Sequence, residues 1–163
     1  MVRFLIGATI PIGGTIVAFT MSRGKMLDLI QPSEILIVFS FTVGGMIMAY
    51  GGADIREMMR GAMDLSKDRS PERLRRNVII CEGASKFALF GGFVGCFLGC
   101  VVTMGSVAGD VSTVGHHFGS ALTGLVLGAG MAGVFFQPLK FKFLNLLNEV
   151  SEQKTKSARE AHE

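Results

Sequence analysis

The chain has 163 residues, of which 49% are hydrophobic and 18% are charged, and its mean hydropathy is +0.47. An ordinary soluble domain is less apolar and more charged than this. The charges are also segregated, since long stretches contain no Asp, Glu, Lys or Arg. We therefore predict a single all-α membrane domain with no separate soluble domain, and we interpret the net charge of +3 as a sign of membrane topology rather than of nucleic-acid binding.

Four uncharged stretches are near or above the ~20 residues that a helix needs to cross a bilayer. Helices are favoured there because every backbone polar group must be satisfied within the membrane. The first stretch follows Arg3 like a signal peptide, but no small-x-small cleavage site follows it, so we expect a retained anchor. We predict transmembrane helices at 4–21, 35–53, 87–108 and 118–139, a cytoplasmic segment at 54–86 and a cytoplasmic tail at 140–163.

The orientation follows from the distribution of Lys and Arg. Most of these residues lie in segment 54–86 and in the tail 140–163, whereas the first loop has only Arg23 and Lys25 and the loop between the third and fourth spans has none. Basic residues are retained on the cytoplasmic side. We therefore expect a multi-pass protein of the bacterial inner membrane with both termini in the cytoplasm.

Local signals mark where two of the helices begin. Pro32 suits the first turn of the second span, and Glu34 is well placed against the positive end of that helix dipole. Residues 54–65 interleave apolar and charged side chains and predict a short helix. Ser70 then has the character of an N-cap with Pro71 at the first helical position, and the helix that starts there is expected to continue into the third span.

A basic cluster follows this helix start and consists of Arg73, Arg75 and Arg76. Arginines close to a membrane surface commonly reflect topology and contact with lipid headgroups. Docking of a cytoplasmic partner is the alternative interpretation.

Small residues recur at every fourth position of the last two spans. They are Gly91, Gly95 and Gly99 in the third span, and Ser120, Gly124, Gly128 and Ala132 in the fourth. Positions four apart share one helix face, and small residues on such a face let two helix backbones approach closely in lipid. We predict tight helix packing and a narrow cavity with a wall that is mostly backbone.

The four predicted spans contain no Asp, Glu, Lys or Arg, although an ion path normally needs an ionisable group within the membrane. The chain would lack such a group unless His116 or His117 reached inward. These histidines are otherwise interfacial polar residues, or residues with a pH-sensing or metal role. Thr123 either bonds its own helix backbone or lines a path that serves a carboxylate on another chain.

The remaining chemistry is sparse. The sequence has no phosphate-binding loop, no nucleophile elbow and no histidine–carboxylate cluster, so we predict no enzyme activity, no cofactor and no metal site. The three cysteines, Cys81, Cys96 and Cys100, lack the spacing of a zinc site and are interpreted as reduced packing residues.

These features resemble the MotA/TolQ/ExbB family of ion-driven stator and channel subunits, and the first half is most similar to MotA. Residues 24–34 and Gly44 look like the MotA loop and the entry to its second span. Residues 92–99 look like the family pattern G-L-L-G-T-V-x-G, and the spacing to Met104-Gly105 is similar to that of MotA. In the fourth span, residues 121–128 and the Gln137-Pro138-Leu139 triplet look like the MotA span that ends in a proline.

The resemblance implies a homopentamer around two single-span helices of a MotB/TolR/ExbD-like partner, whose aspartate takes up and releases the ion. Surrounding lipid is the other expected contact. Pro138 would be the structural proline at the end of the span. The inner wall of the ion path would be formed by Gly92, Gly95, Cys96, Gly99, Thr103, Ser120, Thr123, Gly124 and Gly128.

The sequence also departs from the family pattern. Leu89 stands where a proline is usual, and Cys96 replaces the family threonine. With a cysteine there and Leu125 on the facing helix, we expect protons rather than sodium as the driving ion. The cytoplasmic segment is much shorter than that of flagellar MotA, so the driven machine is left open. A non-conducting glycine-packed scaffold and a small-solute transporter are the alternative functions.

Overall fold

A computed structural model shows an almost entirely helical chain and describes residues 2–21, 31–63, 70–105 and 111–160. The described helices are α1 (Val2–Met21), α2 (Pro32–Tyr50), α3 (Gly52–Met63), α4 (Pro71–Gly105), α5 (Val111–Gly130) and α6 (Gln137–Glu160), with a π-helical turn at Met131–Phe136 between the last two.

Among the described residues, three helical stretches are long and apolar enough to cross a membrane: Pro32–Tyr50, Pro71–Gly105 and Ala121–Ser157. This agrees with an all-α membrane protein. The first predicted span lies in α1, where the apolar stretch found among the described residues is Thr9–Ala18. This stretch is shorter than the three others. A fourth membrane crossing and the predicted topology therefore stay predictions.

The start of α4 agrees with the sequence signal. The helix begins at Pro71 and runs for 35 residues without interruption to Gly105. Proline has a backbone angle suited to the first helical turn and lacks an N–H that would have no partner there. The predicted break at 66–69 lies outside the described residues.

The fourth predicted span ends at residue 139, one residue after Pro138, but the helix itself does not end there. The chain stays helical through the proline to Glu160. A proline has no N–H and crowds the carbonyl one turn earlier. The π-helical turn comes immediately before it, with the N–H of Gln137 bonded to the carbonyl of Ala132, and this wider turn takes up the disturbance without ending the helix.

Helix α4 is the centre of the bundle and packs against α2, α5 and α6. It runs antiparallel to α2, so that Val38 lies against Gly91 and Gly45 lies against Phe87. Further along the same pair, the hydroxyl of Tyr50 donates a hydrogen bond to the carbonyl of Ile79 at 3.3 Å. This register fixes which residues of α2 face α4.

A cluster of buried apolar side chains lies where α3 folds back on the bundle. Gly51 makes the turn between α2 and α3 with a φ of 78°, a conformation that glycine adopts without steric cost. The turn brings Met58 onto Cys81, whose Sγ lies 3.6 Å from the methionine sulfur. The buried members of this cluster are Met46, Met58, Leu74, Ile80, Cys81, Ala84 and Phe143.

An ion-pair network joins α4 to α6 at the same end of the bundle. The Glu82 carboxylate lies 2.9 Å from the Lys86 ammonium and 3.0 Å from the Lys140 ammonium. Because Lys140 comes two residues after Pro138, this contact helps to hold the continuation of the last helix against α4.

Candidate functional site

A glutamate lies inside the helix bundle. Glu34 is the third residue of α2 and is only 5% exposed. Its Oε2 atom is buried and has no hydrogen-bond partner among the described residues. Buried charged groups are normally paired and hydrogen-bonded, so Glu34 is the most unusual polar group in the described part of the chain.

Two glycines make room for this carboxyl group. A methyl group on Gly124 of α5 would collide with Oε2 of Glu34 and would lie 3.3 Å from its Cδ. A methyl group on Gly95 of α4 would also collide with Oε2. The carboxyl therefore lies in a cradle formed by Gly95 and Gly124, which requires glycine on both helices.

The cradle is deep in the bundle. Gly95 is near the middle of the uncharged part of α4 and lies about 15 Å from the Gly105 end by helical rise. Gly124 lies about 20 Å from the Val111 end of α5 by the same measure. Helix α2 thus begins well inside the bundle, and its first turn carries the carboxyl to the level of these glycines.

Opposing effects act on the charge of this carboxyl group. The N-terminus of α2 favours a negative charge by about 0.3–1 kcal/mol, or up to ~2 kcal/mol in a partly buried geometry. Removing an unpaired carboxylate from water costs several kcal/mol. The cost is larger than the gain, so an ionised Glu34 needs a cation, and a proton on Oε2 removes the need for one.

The prediction that the spans contain no acidic residue is therefore wrong at Glu34. The uncharged span was predicted to start at residue 35, although Pro32 was predicted to lie in the first turn of its helix, and α2 does begin at Pro32. The available signal was the Pro-Ser-Glu sequence at the helix start together with glycines on two later helices. His116 and His117, which were considered as the inward ionisable groups, have side chains outside the described part of the structure.

The predicted glycine faces do produce close helix packing. A methyl group on Gly92 would lie 2.8 Å from the Gly124 carbonyl oxygen and 3.1 Å from the Gly128 Cα. Gly99 lies directly against Ala121. These contacts are all within the chain, and the prediction that the same residues line a path for partner helices stays a prediction.

The polar residues of the predicted inner wall lie on both helices. The Thr103 hydroxyl donates to the Gly99 carbonyl at 2.7 Å and the Thr123 hydroxyl donates to the Gly119 carbonyl at 3.4 Å, so Thr123 does bond its own helix backbone. Cys96 is half-buried, and its backbone nitrogen lies beside Gly124, as does Oε2 of Glu34. Ser120 belongs to α5, but its side chain lies outside the described part.

The basic cluster makes contacts with α3. Arg73 lies 3.2 Å from the Glu57 carboxylate, and Arg76 pairs with Asp54, while Arg75 is exposed. Two of the three arginines therefore hold the α3–α4 pair together. Their docking to another protein stays a prediction.

In the described ranges, no group of three or more His, Cys, Asp or Glu is placed to hold a metal ion. Long apolar helices around a buried carboxyl are instead consistent with a multi-pass membrane protein.

Residues 5–81 match the family described as Motility protein A N-terminal. The match covers α2, α3 and parts of α1 and α4, and it includes Glu34. It supports the resemblance to MotA/TolQ/ExbB-type proteins and suggests a motility stator-like protein. A search of curated proteins found no match.

Proposed function

We propose that this chain is the multi-pass subunit of a proton-driven motor of the stator type in the bacterial inner membrane. Five copies would surround two single-span helices of a MotB/TolR/ExbD-like partner. The partner would bring an aspartate that takes up and releases the proton, and ion flow would turn the ring of five around the partner.

The match of residues 5–81 to the motility protein A family carries this proposal. The surface of the chain gives further support, because large apolar side chains are exposed on α4. Phe93, Phe97 and Val101 are 51%, 68% and 66% exposed in the single chain. Apolar surface of this kind marks contact with lipid or with other protein, as a subunit of a membrane ring requires.

The first experiment tests the assembly. The full chain is purified from membranes with and without a co-expressed MotB/TolR/ExbD-like single-span protein of the same organism, and the mass and the stoichiometry are measured. We expect five copies of this chain with two of the partner. A monomer or a symmetric dimer that does not bind the partner would exclude the motor.

The second experiment tests ion flow. The complex is reconstituted in liposomes, and proton entry is measured with a pH-sensitive dye with and without sodium. We expect proton entry that is independent of sodium and is lost when the partner's membrane aspartate is replaced by asparagine. A complex of the right stoichiometry without ion flow would favour a scaffold, whereas solute uptake without the partner would favour a transporter.

A further inference from the structure

Glu34 is a carboxyl group that the proposed partner-based mechanism does not use. It is buried, its Oε2 is unpartnered among the described residues, and it is directed into the Gly95–Gly124 cradle. An intramembrane ionisable residue in such surroundings is expected to be functional, because its burial is costly.

We propose that Glu34 is a proton-binding residue of the ion path, contributed by this chain in addition to the carboxylate of the partner. The inference rests on the proposed function and adds a second proton site to it. In a ring of several copies, each copy would present one such carboxyl at the same depth.

The surroundings of Glu34 favour a proton over a larger cation. Oε2 already fills the space that a methyl group on Gly95 or on Gly124 would take. Cys96 of α4, a titratable residue, adjoins the cradle, because its backbone nitrogen lies beside Gly124. Oε2 of Glu34 has no hydrogen-bond partner among the described residues, and a proton is the smallest counter-charge that a buried carboxylate oxygen can take.

The cradle also lies where α4 and α5 meet. Gly124 and Gly95 bring backbone rather than side chains to the carboxyl, and the Cys96 backbone nitrogen would lie 3.4 Å from a methyl group on Gly124. A small shift between α4 and α5 would therefore change the space around Glu34 directly. Such a shift would couple the protonation of Glu34 to helix position.

The protonation state can be measured without ion flow. The full chain is reconstituted in lipid nanodiscs and treated with a hydrophobic carbodiimide. A protonated carboxylic acid adds across the carbodiimide, and the adduct rearranges to a stable N-acylurea with nothing lost, so the modified peptide is heavier by the whole reagent. Mass spectrometry then gives the extent of modification at each carboxyl as a function of pH.

We expect Glu34 to be modified at neutral pH and to lose its reactivity as the pH is raised, with no protection by sodium. Glu34→Gln should lose this modification and keep its fold, because the amide has the shape of the protonated acid. Glu82→Gln is the matched control and should leave the modification at Glu34 unchanged.

The cradle variants test the geometry. Gly95→Ala and Gly124→Ala should shift the pH midpoint of Glu34 modification, because the added methyl group displaces the carboxyl. Gly44→Ala is the matched control on α2, since a methyl group there meets no atom within 4 Å, and it should leave the midpoint unchanged.

Several results would overturn the proposal. One is an unreactive Glu34 at neutral pH that becomes reactive in Lys25→Gln or Arg23→Gln, which would show an ion pair. Protection by sodium but not by potassium would show a sodium site instead. Modification midpoints that are the same in wild type, Gly95→Ala and Gly124→Ala would place the carboxyl outside the cradle.

Ion flow separates this inference from the proposed function. We expect Glu34→Gln to bind the partner with wild-type stoichiometry and to lose proton entry. If the wild-type complex conducts protons and Glu34→Gln conducts them equally well, only the role of Glu34 is wrong. If the wild-type complex conducts no ions, the proposed function fails and the role of Glu34 in ion flow fails with it.

Discussion

Gly128 and Gly92 meet backbone to backbone where α5 crosses α4. A methyl group on Gly128 would lie 2.8 Å from the Gly92 Cα and 2.6 Å from the Ala88 carbonyl oxygen. This contact sets the distance between α4 and α5. Moving the two helices apart here would also widen the Glu34 cradle one turn away.

Gly128→Ala should destabilise the chain by about 1–3 kcal/mol, the usual cost of overpacking a tight contact. Gly130→Ala on the same helix is the control, because a methyl group there meets nothing within 4 Å. Unfolding in mixed micelles with increasing denaturing detergent measures both. Equal stability of the two variants would mean that α4 and α5 are farther apart than described.

Phe143 should be the main packing residue that holds α6 to the bundle. It is 1% exposed, whereas Phe141 on the same helix is 57% exposed. Phe143→Ala should lower stability by about 3–5 kcal/mol through loss of apolar burial and creation of a cavity. Phe141→Ala should change it far less, and the same detergent titration compares the pair; a reversed order would place the opposite face of α6 against α4.

The Arg73–Glu57 pair distinguishes a structural from a docking role for the basic cluster. Both side chains are about half exposed, so the pair should contribute only about 0–1 kcal/mol. Arg73→Glu should lower the melting temperature slightly, and adding Glu57→Arg should restore it. If the double variant is fully stable but fails to assemble or to drive its machine in cells, Arg73 docks a partner; if it works normally, the arginine is structural.

Thr123 tests the predicted inner wall better than a glycine does, because any larger residue at Gly95 or Gly128 would disturb packing within the chain. Valine keeps the shape of threonine and removes its oxygen. If that oxygen contacts the ion, Thr123→Val should lose about 1 kcal/mol of the stabilisation of the ion in the path. This loss corresponds to a roughly fivefold fall in the rate of proton entry.

Thr123→Ser is the control for this measurement and should retain proton entry. Proton entry by Thr123→Val at the wild-type rate would remove Thr123 from the ion path and leave its hydroxyl with the role of bonding the Gly119 carbonyl.

Local patterns were enough to predict most of the helices. Hydropathy located the apolar stretches of α2, α4 and α5, and Ser70-Pro71 marked the start of α4 because proline and a capping residue act on their own helix turn. The small residues at every fourth position predicted close packing because they lie on one face of a helix. Each of these signals depends only on residues within a few turns of one another.

The burial of Glu34 depends on how α2 packs against distant helices, which no local sequence pattern predicts. Whether a glutamate in a first helical turn meets solvent or the bundle interior depends on the register of α2 against α4 and α5, and this register is set by contacts such as Val38 with Gly91. Likewise, the helix passes Pro138 because a π-helical turn and the packing of Phe143 outweigh the helix-breaking tendency of proline. Hydropathy and capping therefore determine where the helices form, while side-chain packing between distant residues decides which polar group is enclosed.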